Sequence, residues 1–481
     1  MEFDPQKIES LVKKVMEEMK KEGISIETEI TETEKRKKIP SGFYETPEDA
    51  IEAAYSAQAD FINLSLEKRR EIIEAIRRTA LDNAGVLGDL AVEETGLGRM
   101  PDKMNKVILA AKKTPGPEDI EPYSFTGDHG LTLVERAPYG VIVSVTPSTN
   151  PPSTIINNTI SILSGGNAVV FNPHPSAKRV SQKAIALIRT AIENNGGPPD
   201  VVTTIREPKK DDVMKLMSHP KVRLVVVTGG PAIVQIAMGS GKKVVAAGPG
   251  NPPVIVDSTA DIKLAGRSIV AGASFDNGVL CTAEKEVFAC KLIYDQLIEE
   301  MQKNGAYLLS ESEAEKLKKL VIEKDSGTGF RHPIVNKDWV GKDAVKILKA
   351  IGVTPPEGTV LGIFKAEWDD VMVQAEQLMP MLPIVKVENL AEAIGLAIET
   401  EHHFKHTFIM HSKDIENLSK VARLCNASIF VKNGPSYAGL GYNGEGFTTL
   451  TIASPTGEGL TRARTFTRER RCVLVDYFRI I

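Results

Sequence analysis

The chain is short of cysteine, of aromatic residues and of long apolar runs, and each shortage excludes something. Only four cysteines occur in 481 residues, Cys281, Cys290, Cys425 and Cys472. Their spacings pair neither as zinc ligands nor as a disulfide framework, so no metal centre is expected and a reducing cytoplasmic interior is the natural home. No stretch reaches the roughly 18 apolar residues that cross a bilayer, so no membrane is expected. The first residues, Met1 to Glu22, are acidic and lysine-rich rather than an apolar signal core. A net charge of −4 without a long basic stripe gives no reason to expect nucleic acid. The G-x-G-x-x-G dinucleotide fingerprint is also missing after the first strand. What remains is ordinary soluble-protein composition, 42% hydrophobic and 25% charged, in a chain long enough for two or three domains.

Along the chain, Ile8, Leu11, Val12, Val15, Met16 and Met19 recur at helical spacing, which predicts an amphipathic helix over residues 1–20. A polar, charged linker follows over 21–43. Residues 46–115 read as helical. The turn Gly127-Asp128-His129-Gly130 between extended segments predicts a hairpin. Strands at 140–146, 167–171, 201–205, 222–228 and 243–247 then alternate with helices. This predicts a parallel, doubly wound α/β sheet that binds ligands at its strands' carboxyl ends. A second α/β block runs to about Gly459. The extended tail Cys472–Phe478 is expected to add to another sheet, that of a neighbouring subunit.

The most informative segment is Ser274-Phe275-Asp276-Asn277-Gly278-Val279-Leu280-Cys281. A glycine there permits a tight turn and close approach by a substrate or cofactor. A thiol at its end is either a nucleophile or a small apolar core residue. Two strand-to-helix turns, Val145-Thr146-Pro147-Ser148-Thr149-Asn150-Pro151 and Thr228-Gly229-Gly230-Pro231, are either dinucleotide contacts or simply well-capped helix starts.

Taken in order with Cys281, these stretches resemble the aldehyde dehydrogenase superfamily from about residue 45 to the C-terminus. The runs Thr146-Pro-Ser-Thr-Asn-Pro, Phe171-Asn-Pro-His-Pro175, Gly248-Pro-Gly-Asn-Pro-Pro253 and Gly446-Phe-Thr-Thr resemble its coenzyme A-acylating branch. Within that branch the chain looks most like microcompartment-associated propionaldehyde and butyraldehyde dehydrogenases. The resemblance implies an aldehyde dehydrogenase-like fold: a Rossmann-type NAD domain (44–122 and 138–247), a catalytic domain (248–459) and an oligomerisation module (123–137 and 460–481). It implies that Cys281 attacks a short aldehyde, that Asn150 stabilises the oxyanion, with Thr149 able to share the role, and that His406 takes a proton from coenzyme A. A helix-start role for Asn150 and a structural role for His406 are the alternatives; His402 and His403 read as surface. NAD, with NADP as the alternative, would contact Thr146, Pro147, Ser148, Asn172, His174, Thr228, Gly229, Gly230, Gly248 and Glu376. The resemblance also implies a homodimer or homotetramer, and shell-protein docking through residues 1–20.

Two departures matter. Hydrolytic relatives carry a glutamate where this chain has Ala246, and alanine cannot activate water. A lysine that often grips the adenine-side ribose is replaced by Asn172. The readings that compete with an acyl-coenzyme A product are a hydrolytic dehydrogenase giving the free acid, a phosphate-dependent relative, and an idle scaffold of the same fold. The sparse aromatics ahead of Cys281 leave the acyl pocket undefined.

Overall fold

A computed structural model describes residues 42–481. The amphipathic segment 1–20 and nearly all of the linker lie outside the described residues.

Four helices open the described chain: Pro47–Ile62, Leu66–Asp82, Ala84–Thr95 and Met100–Lys113. The first begins where Thr46 accepts the Asp49 N–H at 3.2 Å, with proline in the first turn, a strong start signal. The third stops at Gly96, whose φ of 64° is the left-handed cap that glycine adopts freely.

The first sheet is six-stranded and parallel, in the spatial order Phe43–Tyr44, Val202–Ile205, Ala168–Pro173, Val141–Thr146, Val222–Thr228, Lys243–Ala247. The strands Val141–Thr146 and Ala168–Pro173 are buried throughout, as expected of a parallel sheet covered by helices on both faces. From Val141–Thr146 the chain builds outward on one side, then returns to build on the other. The carboxyl end of that strand, at Thr146, is therefore a topological switch point, where such sheets open a crevice.

The second sheet is seven-stranded and also parallel: Ala306–Leu308, Leu361–Ala366, Met381–Val387, Glu286–Cys290, Pro253–Val256, Thr407–His411, Ile429–Lys432. Each large sheet has its own apolar core. Leu450, Ala453 and Phe466 belong to the first, so the chain returns to it after completing the second sheet.

The tail adds to a sheet, and the sheet is formed by the hairpin of its own chain. Strand Thr467–Val475 pairs antiparallel with Gly130–Pro138 of the same chain, beside the hairpin strand Tyr123–Gly127. Because Ala463 and Phe466 are buried, the tail is anchored immediately before this strand and is led to its own hairpin. The resulting three-stranded sheet is largely exposed, with Phe125, Val473 and Val475 more than half accessible. No helix among the described residues is long and apolar enough to cross a membrane.

Candidate active site

Helix Ile262–Ser274 ends directly ahead of the thiol, and the chain then makes three successive left-handed residues: Asp276 (φ 49°), Asn277 (φ 54°) and Gly278 (φ 69°). Aspartate and asparagine tolerate this region better than most side chains, and glycine enters it freely. At Gly278 there is a second reason. A Cβ would lie 2.9 Å from the carbonyl of Met379, so only glycine lets the turn pass that segment.

Buried polar contacts hold the two strained residues. Asp276 donates its N–H to Asp102 at 2.8 Å and accepts the Arg99 N–H at 3.0 Å. Its carboxylate, fully buried, contacts the ammonium groups of Lys106 and of Lys103, the latter at 2.9 Å. Burial alone would raise the Asp276 carboxyl; the two lysines outweigh it and hold the group below its ordinary value. Asn277 donates to Gly341 O and Asp343 Oδ1, each at 3.0 Å. From the other side Lys285, also buried, donates to the carbonyls of Gly278 and Leu280 at 3.1 and 3.2 Å. Leu280 O lies on the peptide that carries the Cys281 N–H. In a trans peptide the C=O and N–H point in opposite directions, so anchoring one aims the other.

Cys281 is half-buried, whereas Cys290 and Cys425 are buried and Cys472 is exposed; all four are unpaired thiols. Burial pushes the Cys281 thiol up to about 12, and the nearby Glu376 carboxylate adds to this; the charges of Lys285 and Lys106 act against both. At rest the group is a thiol, with two cations in place to favour the thiolate.

Gly250 joins the other candidates to Cys281. A Cβ there would stand 2.8 Å from Cys281 O and 3.0 Å from His406 Cγ, and its N–H donates to Glu376 at 3.1 Å. One backbone unit is thus wedged between the cysteine, the histidine and the glutamate, leaving no room for a side chain. His406 is buried, its Nδ1 is 2.9 Å from Thr407 Oγ1, and its Nε2 has no hydrogen-bond partner among the described residues. Burial, with Lys285 in support, lowers its pKa to about 4, so the ring is neutral at pH 7. Its backbone N–H is held by Glu401 at 2.7 Å. Burial lifts Glu376 to about 7, offset in part by Lys285 and the Gly250 N–H.

Asn150 begins helix Pro151–Ser164, yet its side chain makes no helix-cap hydrogen bond. Instead Oδ1 accepts from Lys106 Nζ at 2.5 Å, and Nδ2 donates to Thr149 Oγ1 at 3.2 Å. The capping alternative is therefore not what the structure contains. Lys106 brings Asn150 and the Cys281 turn together through Asp276.

The cofactor candidates gather at the carboxyl ends of the first sheet. Thr146 and Asn172 end adjacent strands, and both Thr146 Oγ1 and Asn172 Oδ1 are buried without a partner among the described residues. Unpaired buried polar atoms are costly, and two of them at a switch point fit a polar ligand there. Pro147 and Ser148 are partly exposed between Thr146 and Asn150. His174 is exposed and accepts the Ser176 N–H at 3.2 Å. Thr228 is engaged by Thr451 at 3.0 Å. Gly229 and Gly230 lead into helix Pro231–Met238, and Gly248 packs against Pro455. Ala246 is fully buried, its N–H donated to Thr456 Oγ1 at 3.0 Å. His403 is exposed, as expected of a surface residue, but His402 is half-buried. Its ring packs against His332 at 4.3 Å and contacts Gln374 O at 2.9 Å.

Sequence reasoning missed Lys103, Lys106 and Lys285. Lys103, Lys106, Val107, Ala110 and Thr114 share one helix face at i, i+3, i+4 spacing, so the apolar stripe of Met100–Lys113 carries two lysines on its buried side. That pattern was readable. Glu284-Lys285-Glu286 gave no such signal: three charged residues in a row read as solvated, yet all three are buried. Burial raises Glu284 to about 7, although Ser436 donates to its carboxylate from both N and Oγ.

The aldehyde dehydrogenase family model matches residues 16–318. Over 445 residues, 92% of this chain and 94% of the relative, the sequence is 46% identical to the acetylating acetaldehyde dehydrogenase EutE of Salmonella typhimurium. A propionaldehyde dehydrogenase from the Clostridium phytofermentans fucose utilisation bacterial microcompartment superposes with a TM-score of 0.89 at 43% identity, covering 92% of this chain and 100% of that one. The propionaldehyde dehydrogenase of Rhodopseudomonas palustris, solved with bound CoA and an acylated cysteine, gives 0.88 at 45% identity, covering 90% and 98%. With this coverage, and with a cysteine, an asparagine and a histidine gathered around Gly250 and Lys106, the chain belongs to the aldehyde dehydrogenase family, in its coenzyme A-acylating branch.

Proposed function

We propose that the chain oxidises a short aldehyde, propionaldehyde foremost, with NAD⁺ and coenzyme A to acyl-coenzyme A and NADH, reversibly. The observation that carries this reading is the gathering at Gly250, where Cys281 and His406 flank one glycine backbone and His406 Nε2 is left unpaired. Cys281 releases its proton to solvent, its thiolate adds to the aldehyde carbon, and the oxyanion that forms is met by the Asn150 amide and the Cys281 N–H. Bound NAD⁺ supplies the hydride acceptor; Thr146, Pro147, Ser148, Asn172, His174, Thr228, Gly229, Gly230 and Gly248 hold it at the first-sheet strand ends, and Glu376 orients its nicotinamide ribose. Loss of hydride leaves a thioester on Cys281. The neutral His406 takes the proton of the incoming coenzyme A thiol at Nε2, the coenzyme A thiolate attacks the acyl carbon, and Cys281 leaves as its thiolate. Ala246 offers no base to activate water in its place, which supports transfer to a thiol over hydrolysis.

On this reading 44–122 and 138–247 form the cofactor domain, 248–459 the catalytic domain, and 123–137 with 460–481 the oligomerisation module. The exposed apolar residues of the three-stranded sheet support pairing of subunits there. Residues 1–20, outside the described residues, serve on this reading to dock on a microcompartment shell, supported by the amphipathic spacing of their sequence. Removing them should leave specific activity unchanged and abolish co-purification with shells; a truncated enzyme that still co-purifies refutes the docking role. For the reaction itself, NADH formation from propionaldehyde is measured with and without coenzyme A, and the product identified. Multiple turnovers to free propionate without coenzyme A would replace this reading with the hydrolytic one.

A further inference from the structure

We infer that Lys106 is a positioning residue that sets the orientation of the Asn150 carboxamide, so that its N–H₂ and not its oxygen faces the reacting aldehyde. The inference rests on the proposed roles of Cys281 and Asn150 and adds a residue to them.

A carboxamide has two nearly isosteric ends, and its neighbours decide which way it turns. An asparagine at a helix start ordinarily turns its oxygen to an N–H of the first helical turn. Here the first two helical residues are Pro151 and Pro152, which have no N–H, and the side chain makes no cap bond. The default use of the oxygen is thereby weakened. Lys106 supplies the alternative. An ammonium has donors only, so the atom 2.5 Å from its Nζ must be the amide oxygen. The N–H₂ is then on the opposite side, where one hydrogen goes to Thr149 Oγ1 at 3.2 Å and the other remains for a ligand. Were the amide reversed, lone pairs would face the forming oxyanion and repel it.

The lysine is itself fixed. Its side chain is 3% exposed, and the same ammonium pairs with Asp276 Oδ2 on the turn leading to Cys281. Lys103, one helical turn earlier, makes a parallel link from Asp276 to Thr149 O, at 2.9 and 2.6 Å. Two lysines of one helix face therefore tie the Asn150 loop to the nucleophile's turn across one aspartate. Lys106 is the one that contacts the carboxamide. Its charge also lies close enough to Cys281 to favour the thiolate.

The test is a double-mutant cycle on the full-length enzyme, Lys106→Met, Asn150→Ala and the pair together. It reads kcat for propionaldehyde oxidation at saturating NAD⁺ and coenzyme A, the aldehyde KM, and NAD⁺ affinity by fluorescence. Asn150→Ala should lower kcat by about 100- to 1,000-fold, the range for loss of one oxyanion donor. Lys106→Met should lower it by about 30- to 100-fold with KM and NAD⁺ affinity within about threefold. The double variant should fall within about threefold of Asn150→Ala alone, a margin that covers the smaller effect of the Lys106 charge on Cys281, because the positioning role has nothing left to act on once the carboxamide is gone. Full multiplication of the two effects, or an unchanged kcat in Lys106→Met, overturns the inference. An unchanged kcat in Asn150→Ala overturns it too, and places the failure in the oxyanion role instead. If Lys106→Met does not fold, Lys106→Gln takes its place in the same cycle. The amide of Gln can still donate to Asn150 Oδ1, so kcat should recover to within about tenfold of the parent; a folded Gln variant whose loss multiplies with Asn150→Ala overturns the inference.

Discussion

The two polar regions that meet near Thr146 and Asn150 are built in opposite ways. Beneath Cys281 the charges face one another: Asp276 has Lys103, Lys106 and the Arg99 N–H, and Lys285 has two carbonyls of the turn. At the first-sheet strand ends, Thr146 Oγ1 and Asn172 Oδ1 are buried with no protein partner among the described residues. The first region is complete without a ligand, as befits groups that must stand in one geometry when charge develops. The second leaves polar atoms for a ligand to satisfy. Within the nucleophile's neighbourhood His406 Nε2 is an exception, an unpaired ring nitrogen; Thr282 Oγ1, Asn251 Oδ1 and Glu286 Oε2 are also without a partner among the described residues. The contrast separates a fixed reactive site from a binding site, and it can be attacked from either side.

The largest effect is expected from Cys281→Ala, which removes the attacking atom. NADH formation should fall at least 1,000-fold while NAD⁺ binding and the melting temperature hold. The buried contacts of the turn run through Asp276, Asn277 and Lys285 and do not use the thiol. Serine at Cys290, Cys425 or Cys472 should retain most activity. A Cys281→Ala enzyme with more than a few per cent of the parent rate would remove the thiol from the mechanism and dissolve the contrast.

His406→Ala tests the exception. A general base contributes typically 100- to 10,000-fold, so steady-state turnover with coenzyme A should drop at least tenfold. A pre-steady-state burst of NADH should persist, because hydride loss precedes the thiol's arrival. Loss of the burst along with turnover would make His406 a structural residue of the Gly250 neighbourhood.

The buried carboxyls sharpen the comparison through pH. Burial raises Glu284, Glu376 and Glu401 to about 7, from ordinary values near 4.5. A raised carboxyl binds more protons folded than unfolded, so each stabilises the fold below about pH 4.5 and loses that contribution as pH rises through 7. His406 and His411, lowered to about 4, act the other way between pH 4 and 6.5. Above pH 6.5 the buried Lys103, lowered to about 7, and the lowered Lys285 oppose the carboxyls, but with Glu286 also raised four carboxyls stand against two lysines, so the urea midpoint should fall from pH 6.5 to pH 8. Glu401→Gln should flatten that fall. A midpoint that rises over this interval would mean the carboxyls are ionised throughout.

The smallest effect is expected from Ala246→Glu. Its position is fully buried beside Thr456, so a carboxyl there should lower stability by about 1–3 kcal/mol. It should also raise the share of free acid among the products, by a few-fold at most, through a base near the thioester. A folded variant with an unchanged acid-to-thioester ratio would show that water is blocked by something other than the missing base.

What the sequence by itself determined is local or periodic. Near-continuous apolar strands gave the first sheet with two strands, Val222–Thr228 and Lys243–Ala247, matching to the residue. Gly278 announced the turn because only a residue without a Cβ passes Met379 there, and the order of the turns carried the family resemblance. The short strand Ala306–Leu308 and the strand Leu361–Ala366 went unread, since brief runs among polar neighbours leave no period to detect. Only the tertiary structure decided that the tail pairs with its own hairpin, and that Lys103, Lys106 and Lys285 are interior. Charges are read from sequence as solvated because an unpaired charge cannot be buried. These are buried because their partners, Asp276, Asn150 and the carbonyls of Gly278 and Leu280, come to them. Except for the two local Lys285 bonds, those contacts join positions 44 to 173 residues apart, a separation that no window of sequence spans.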